Sequence, residues 1–120
     1  MDGDQKMEHS MGLYETPFNS MKAGRKTVEV RLNDPKRRKI DIKDTIRFTK
    51  LPEDGETLTV EVTALRTYPT FKDMYRDIPA KDMDADNRTI EEMVESTYEI
   101  YTRQQETEWG TLAIEIRLLK

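Results

Sequence analysis

Lys26, Glu29 and Arg31 lie within the run Gly24-Arg25-Lys26-Thr27-Val28-Glu29-Val30-Arg31, which a glycine turn opens. Two cations and a carboxylate at that spacing are costly inside a fold unless they are used. Side chains of a β-strand alternate between faces, so Val28, Val30 and Leu32 fall on one side and Thr27, Glu29 and Arg31 on the other. Lys26 has the parity of the valines, but it opens the strand, where a long stem runs along apolar surface and brings its ammonium to the rim. The three charges are therefore expected to converge on one spot. In a binding site, Lys26 and Arg31 reach a phosphate or a base edge and Glu29 accepts from an exocyclic amine or orients the arginine. A tyrosine such as Tyr68, Tyr98 or Tyr101 then stacks. In a catalytic site, Glu29 activates water for attack on an amide or ester carbonyl while Lys26 stabilises the oxyanion. Two neighbouring cations depress the pKa of Glu29, which weakens it as a base. The plain alternative is a surface ion-pair ladder of Glu29 and Arg31 with no ligand.

The flanking residues predict the elements that hold this strand. Thr16-Pro17 reads as a helix start, with the threonine as N-cap and the proline at the first helical position, and Gly24 as the stop. A short strand around Met11 and Leu13 precedes it. Asn33-Asp34-Pro35 ends the charged strand, and Lys36-Arg37-Arg38-Lys39 follows as a basic loop. Further strands are expected at 45–50, 57–67 and 111–119, each offering one face to a core, with Pro52-Glu53-Asp54-Gly55 turning the first two into a hairpin. A half-buried sheet this small is best closed into a barrel, which removes its edges. Thr70 with Asp73, and Thr89 with Glu92, have capping-box spacing and predict two more helices; Ile90, Met93, Val94 and Thr97 share one face of the second. The acidic connection 77–88 between them is long for a compact domain.

The order of a proline-phenylalanine helix, Gly24-x-Lys26-Thr27-x-Glu29-x-Arg31, a basic loop and a strand at 40–48 resembles the ASCH domain family over nearly the whole chain. The resemblance extends to a strand at 57–68, a helix near 70–76 and a closing stretch 101–110 leading into 111–118. It implies an α+β fold, a small PUA-like mixed or antiparallel β-barrel with about three peripheral helices, and a role in RNA or nucleoside chemistry. It also makes 77–88 a candidate flap beside the cleft. One branch of the family is an acetylcytidine amidohydrolase, in which the lysine works with a threonine three residues later and a distant glutamate. Here the lysine matches as Lys26, but Glu29 occupies the threonine position and Thr27 is not its equivalent. For the distant acid, Asp86 is nearest by order, with Glu91 and Glu92 also open. Glu106 and Glu108 resemble an acidic pair that would face the cleft or else end a helix in solvent. Lys43 precedes Asp44 where many relatives have glycine.

Composition sets the bounds. The 120 residues make one domain, read as a polar tail over 1–8 and a single domain over 9–120. Charged residues are 37% and hydrophobic ones 35%, so the core must be compact. No cysteine is present, which excludes a disulfide frame and a thiolate nucleophile and fits a reducing cytoplasm. No apolar run approaches a membrane span. The net charge of −4 conceals segregation: residues 22–50 hold 11 Lys and Arg against 4 Asp and Glu. A basic stretch on an acidic remainder favours a short or single-nucleotide ligand over a long duplex.

Other features carry less. Asp82, Asp84 and Asp86 have calcium-loop spacing, but Asn87 and Met93 stand where that loop needs glycine and a bidentate glutamate. His9, the single histidine, excludes histidine triads and multi-histidine metal sites and reads as solvated near the terminus. Trp109 reads as a packing anchor. The expectation is thus a binder of RNA or a nucleotide-like small molecule in a cleft lined by Lys26, Glu29, Arg31 and Tyr101, with Lys36, Arg37 and Arg38 at its rim. It needs no metal, cofactor or membrane. The alternatives are an amidohydrolase on a modified nucleoside, with Lys26 and Glu29 catalytic, and a domain that binds a protein partner.

Overall fold

The computed structural model describes residues 6–52 and 55–119. Residues 1–5 of the expected tail, and Glu53 and Asp54 of the expected turn, lie outside them. The elements run β1 (Glu8–Tyr14), α1 (Glu15–Lys22), β2 (Val28–Leu32), β3 (Thr45–Leu51), β4 (Thr57–Tyr68), α2 (Phe71–Asp77), α3 (Ile90–Thr97), α4 (Arg103–Trp109) and β5 (Thr111–Leu118). Short 3-10 turns lie at Arg37–Lys39 and Ala80–Asp82. The five strands form one mixed sheet in the order β1-β3-β4-β5-β2, with β1 parallel to β3 and the other pairs antiparallel. This is the expected α+β, PUA-like fold, with the sheet curled into a half-barrel instead of closed edge to edge and with four helices instead of about three. None of the helices among the described residues is long and apolar enough to cross a membrane.

β5 lies between β4 and β2, and both of its faces are covered. Leu112, Ile114 and Ile116 point into the concave side with Ile46, Phe48, Val60, Val62 and, from α1, Phe18 and Met21. Ala113 points to the convex side, where Val28 and Leu32 of β2 pack under Phe71, Met74 and Met93 of the helices. The one-face reading of this strand is corrected accordingly: a small alanine at 113 lets the helices approach a strand whose other face fills the barrel. A register shift between Val62 and Ala64 in β4 adds to the curl.

Backbone pairing does not join β1 to β2, so the two ends of the sheet face each other across a seam. α1 begins at Glu15, earlier than Thr16-Pro17 predicts, and Tyr14 at its N-cap supplies no side-chain bond. Strand β1 passes straight into the helix there, and Pro17 is tolerated because first-turn N–H groups have no intrahelical acceptor. Gly24 stops the helix as expected, at φ 82°. Thr89 forms the predicted capping box with Glu92, Thr70 caps α2 by accepting from the Asp73 N–H alone, and Thr102 with Gln105 forms a further capping box for α4.

Two buried carboxylates tie elements together. Asp44 accepts from the backbone N–H groups of Met7 (3.1 Å) and Asp41 (3.0 Å) and lies 2.8 Å from His9 Nε2. His9 is therefore engaged and not solvated. Burial pushes the Asp44 carboxyl up, but the His9 contact and the two backbone donors outweigh it and hold it below its ordinary value. Lys43, at φ 77°, adopts the left-handed conformation in the turn just before this knot. Glu106 is buried and faces neither cleft nor solvent: it accepts from the Phe71 N–H at 2.7 Å and from the Tyr98 hydroxyl at 2.6 Å. Because Phe71 is the first residue of α2, its N–H would otherwise be orphaned.

Glu106→Ala is expected to lower the unfolding free energy in urea by about 1–3 kcal/mol, the penalty of an unsatisfied buried donor. The same change at the exposed Glu108 should stay within about 0.5 kcal/mol. Equal effects at the two positions would remove Glu106 as the anchor of α2.

Candidate functional site

Cross-strand neighbours share a face, and β2 pairs Glu29 with Ile114 and Arg31 with Leu112. The charged face of β2 therefore turns into the concave side of the sheet, against the apolar core, at the edge where the barrel is open. Glu29 Oε1 lies 3.3 Å from Lys26 Nζ, and Glu29 Oε2 accepts from Arg31 Nε at 2.7 Å. The Lys26, Glu29 and Arg31 side chains are only 10%, 7% and 13% exposed, so this is a buried cluster and not a surface ladder. Arg31 then reaches across the seam: its second terminal nitrogen donates to the Gly12 carbonyl of β1 at 2.9 Å. Lys26 Nζ also donates to the Val28 carbonyl at 2.9 Å.

Gly12 is confined by contact. A Cβ there would come within 2.7 Å of Leu51 Cδ1, so a side chain at this point would have to displace the leucine that helps shape the seam. Burial pushes the Glu29 carboxyl up, and the charges of Lys26 and Arg31, with their hydrogen bonds, overcome it and hold the group below its ordinary value. Glu29 is accordingly ionised and engaged at both oxygens, which makes it a weak proton acceptor.

A cavity of about 520 Å³ opens over this cluster. β1 contributes Gly12, Leu13 and Tyr14 to its wall; Tyr75 and Met93 stand on α2 and α3, and Ile100 and Tyr101 follow α3. The connection 77–88 supplies Met83, Ala85 and Arg88. That connection is pinned beside β2: the Thr27 N–H donates to the Asp82 carbonyl at 2.7 Å, and the Ser20 hydroxyl donates to Asp84 at 2.6 Å. Asp84 also pairs with Arg25, so the carboxylate at the centre of the calcium-like spacing is spent within the fold. Among the described residues no cluster suited to a metal is present.

The predicted residues separate clearly. Lys26, Glu29, Arg31 and Tyr101 meet at the cavity. Tyr101 rests one ring face on Phe71, with centroids 5.6 Å apart and planes 16° apart. Tyr68 and Tyr98 do not line it; their hydroxyls bond Asp77 and Glu106. Lys36, Arg37 and Arg38 lie outside the cavity wall. Arg37 pairs with Asp34 at 3.0 Å, while Arg38 donates to the Asn33 carbonyl and sits 5.7 Å over the Trp109 ring. Trp109 packs as expected. None of the distant acids enters: Asp86 is exposed, Glu91 lines a separate groove between α3 and α4, and Glu92 closes the capping box. Glu29 is the one carboxylate in the wall among the described residues.

Sequence reading missed Arg88, Ser96, Tyr14 and Gly12. Arg88 stands immediately before the N-cap Thr89, so the capping box placed it beside α3; nothing in one sequence shows that α3 turns toward β2.

A family model described as the ASCH domain matches residues 11–120. The crystal structure of hypothetical protein PH0355 is 35% identical, covers 94% of this chain and 100% of its own, and superposes with a TM-score of 0.85. The solution structure of protein PF0455 from Pyrococcus furiosus is 34% identical over 95% of this chain and 99% of its own, with a TM-score of 0.77. The crystal structure of ASCH from Zymomonas mobilis, 13% identical over 94% of this chain and 68% of its own, shares the fold at a TM-score of 0.58. Among curated proteins nothing matches.

The depressed pKa of Glu29 has a direction that unfolding measures. Its ionised form stabilises the fold above the unfolded glutamate value of about 4.3, and that contribution is lost as the pH falls through the lower folded value. The stability gap between the parent and Glu29→Gln is therefore expected to narrow from about pH 6 to about pH 3. A gap that stays constant over this range would show that the carboxylate is not held by its two cations.

Proposed function

Because this chain belongs to the ASCH domain family, we propose that it binds RNA or a nucleotide-like ligand in the seam cavity. One observation carries the reading: the polar ends of Lys26, Glu29 and Arg31 converge at a single opening with Tyr101 in its wall. The volume of about 520 Å³ falls within the roughly 300–1,000 Å³ of small-ligand sites. Such a space takes one nucleotide-scale group and not a duplex. Lys26 and Arg31 keep donors to spare after their contacts with Glu29, and the ionised Glu29 offers remaining lone pairs to an amine. Tyr101, already stacked on Phe71, extends an aromatic wall toward a base. For a longer single strand, the basic turn carrying Lys36, Arg37 and Arg38 is the place where phosphates beyond the cavity would be met. A chain without cysteine suits a cytoplasmic setting.

The binding reading is preferred to an amidohydrolase on chemical grounds. Position 29 carries no hydroxyl nucleophile, no second carboxylate reaches the cavity wall among the described residues, and Glu29 is held ionised between two cations.

Calorimetric titration with ribonucleoside monophosphates and short single-stranded RNAs tests this. At least one is expected to bind the parent without turnover, and Lys26→Ala should weaken it by roughly 10–100-fold, the worth of one charge-assisted hydrogen bond. Unfolding midpoints recorded alongside separate lost binding from lost structure. Binding that is indifferent to Lys26 in a folded variant, or no binding by the parent, would overturn the reading.

A further inference from the structure

The charges of the cavity wall do not balance. Among the described residues, Lys26, Arg31 and Arg88 face the single carboxylate of Glu29, and that carboxylate is already shared between Lys26 and Arg31. Arg88 has neutral partners: its guanidinium donates to the Glu92 main-chain carbonyl at 3.0 Å and to the Ser96 hydroxyl. Among the described residues it forms no ion pair. Glu92, four residues on, instead spends its carboxylate on the Thr89 N–H at 2.8 Å. Arg88 is thus a guanidinium held in place on α3 by neutral acceptors, at the wall of a cavity that already carries a surplus of cations.

Arg88 also shares a wall with the charged strand. Burial pushes the buried Tyr75 phenol up to about 12, against its bond to Thr97, and the Tyr75 hydroxyl feels the Glu29 carboxylate and, with opposite sign, the Arg88 guanidinium. The two charges therefore act on one hydroxyl in the cavity's side. A half-enclosed site with low-dielectric walls concentrates such a field, and a neutral guest would leave the surplus of positive charge unanswered. Much of the rest of the wall is apolar: Met83, Ala85 and Met93 are buried beneath it, while Tyr14 and Ile100 stand two-thirds exposed at its mouth, 66% and 67%. Large apolar side chains left in solvent at the lip of a charged cavity suit a guest with a flat, poorly hydrated portion beside its charge.

Resting on the nucleotide-site reading above, we infer that the cavity selects a phosphorylated ligand, a nucleoside monophosphate, over the neutral nucleoside, and that Arg88 is the residue that holds the phosphate. A planar guanidinium fixed by two neutral acceptors presents its remaining N–H donors to phosphate oxygens in pre-set geometry. Lys26 and Arg31, tied to Glu29, then serve the rest of the ligand.

Calorimetry with each of the four ribonucleosides, its 5′-monophosphate and inorganic phosphate alone decides the matter. The parent is expected to bind a monophosphate at least about tenfold more tightly than the matched nucleoside. Arg88→Ala should bring that ratio to within about twofold, by weakening the monophosphate far more than the nucleoside. Arg88→Gln, which keeps the stem and a neutral donor, should lose most of the ratio too. Nucleoside and monophosphate bound equally by the parent would overturn the inference and leave the nucleotide-site reading standing. A preference that survives both variants would overturn Arg88's role. Inorganic phosphate bound as tightly as the monophosphate would overturn the ligand class. Failure of every nucleoside and monophosphate to bind would instead overturn the nucleotide-site reading itself.

Discussion

A sheet that curls into a barrel but leaves β1 and β2 unpaired must hold its two ends by something other than a backbone ladder, and Arg31 crosses that gap. The cross-link works only because Glu29 fixes the guanidinium from the same strand face. An arginine directed alone into the concave side would bring an uncompensated charge against Leu112 and Ile114. A carboxylate without its cations there would take up a proton. The cluster is thus self-consistent only as a set, and the set stands where the sheet leaves space. Pairing the edges fully would close the barrel and remove the cavity; leaving them without a bridge would expose two strand edges to other chains.

The surrounding contacts explain why the opening keeps its shape. On the β2 side, Thr27 is bonded to Asp82, and Asp84 is bonded to Ser20 and Arg25, so the connection between α2 and α3 lies along the strand as a wall. On the β1 side, Asp44 gathers His9, Met7 and Asp41, fixing the start of β1 against the turn into β3. Glu106 holds α2 and Tyr98 together beneath Tyr101's neighbour Phe71. Asp44 and Glu106 are buried and each is satisfied by several donors, while the more exposed Asp84 is held by Ser20 and Arg25. That is the condition under which polar groups specify a structure instead of destabilising it.

Much of this was legible in local pattern. The alternation Val28, Glu29, Val30, Arg31 separates an apolar face from a charged one, and the threonine caps of α2 and α3 follow from three-residue spacing. What escaped was set by distance along the chain. Nothing near Glu106 reveals that its partner is the N–H of Phe71, 35 residues away. His9 reads as solvated because Asp44, again 35 residues away, comes from the turn into β3. The basic run 36–39 looks like a rim because charge runs are conspicuous, yet Arg37 and Arg38 are engaged with Asp34, Asn33 and Trp109. Arg88, inconspicuous in an acidic connection, is the cation that reaches the wall.

The account rests on Glu29 and Arg31 acting as one unit across the seam, and a double-mutant cycle on the ligand-free protein measures that unit directly. Unfolding free energies would be compared for the parent, Glu29→Gln, Arg31→Met and the double variant at neutral pH. The account predicts a coupling of about 1–3 kcal/mol, with the double variant less damaged than the two single losses added together. Additive losses would contradict it, because they would mean that the two side chains are held independently and that no shared cluster underlies the cavity.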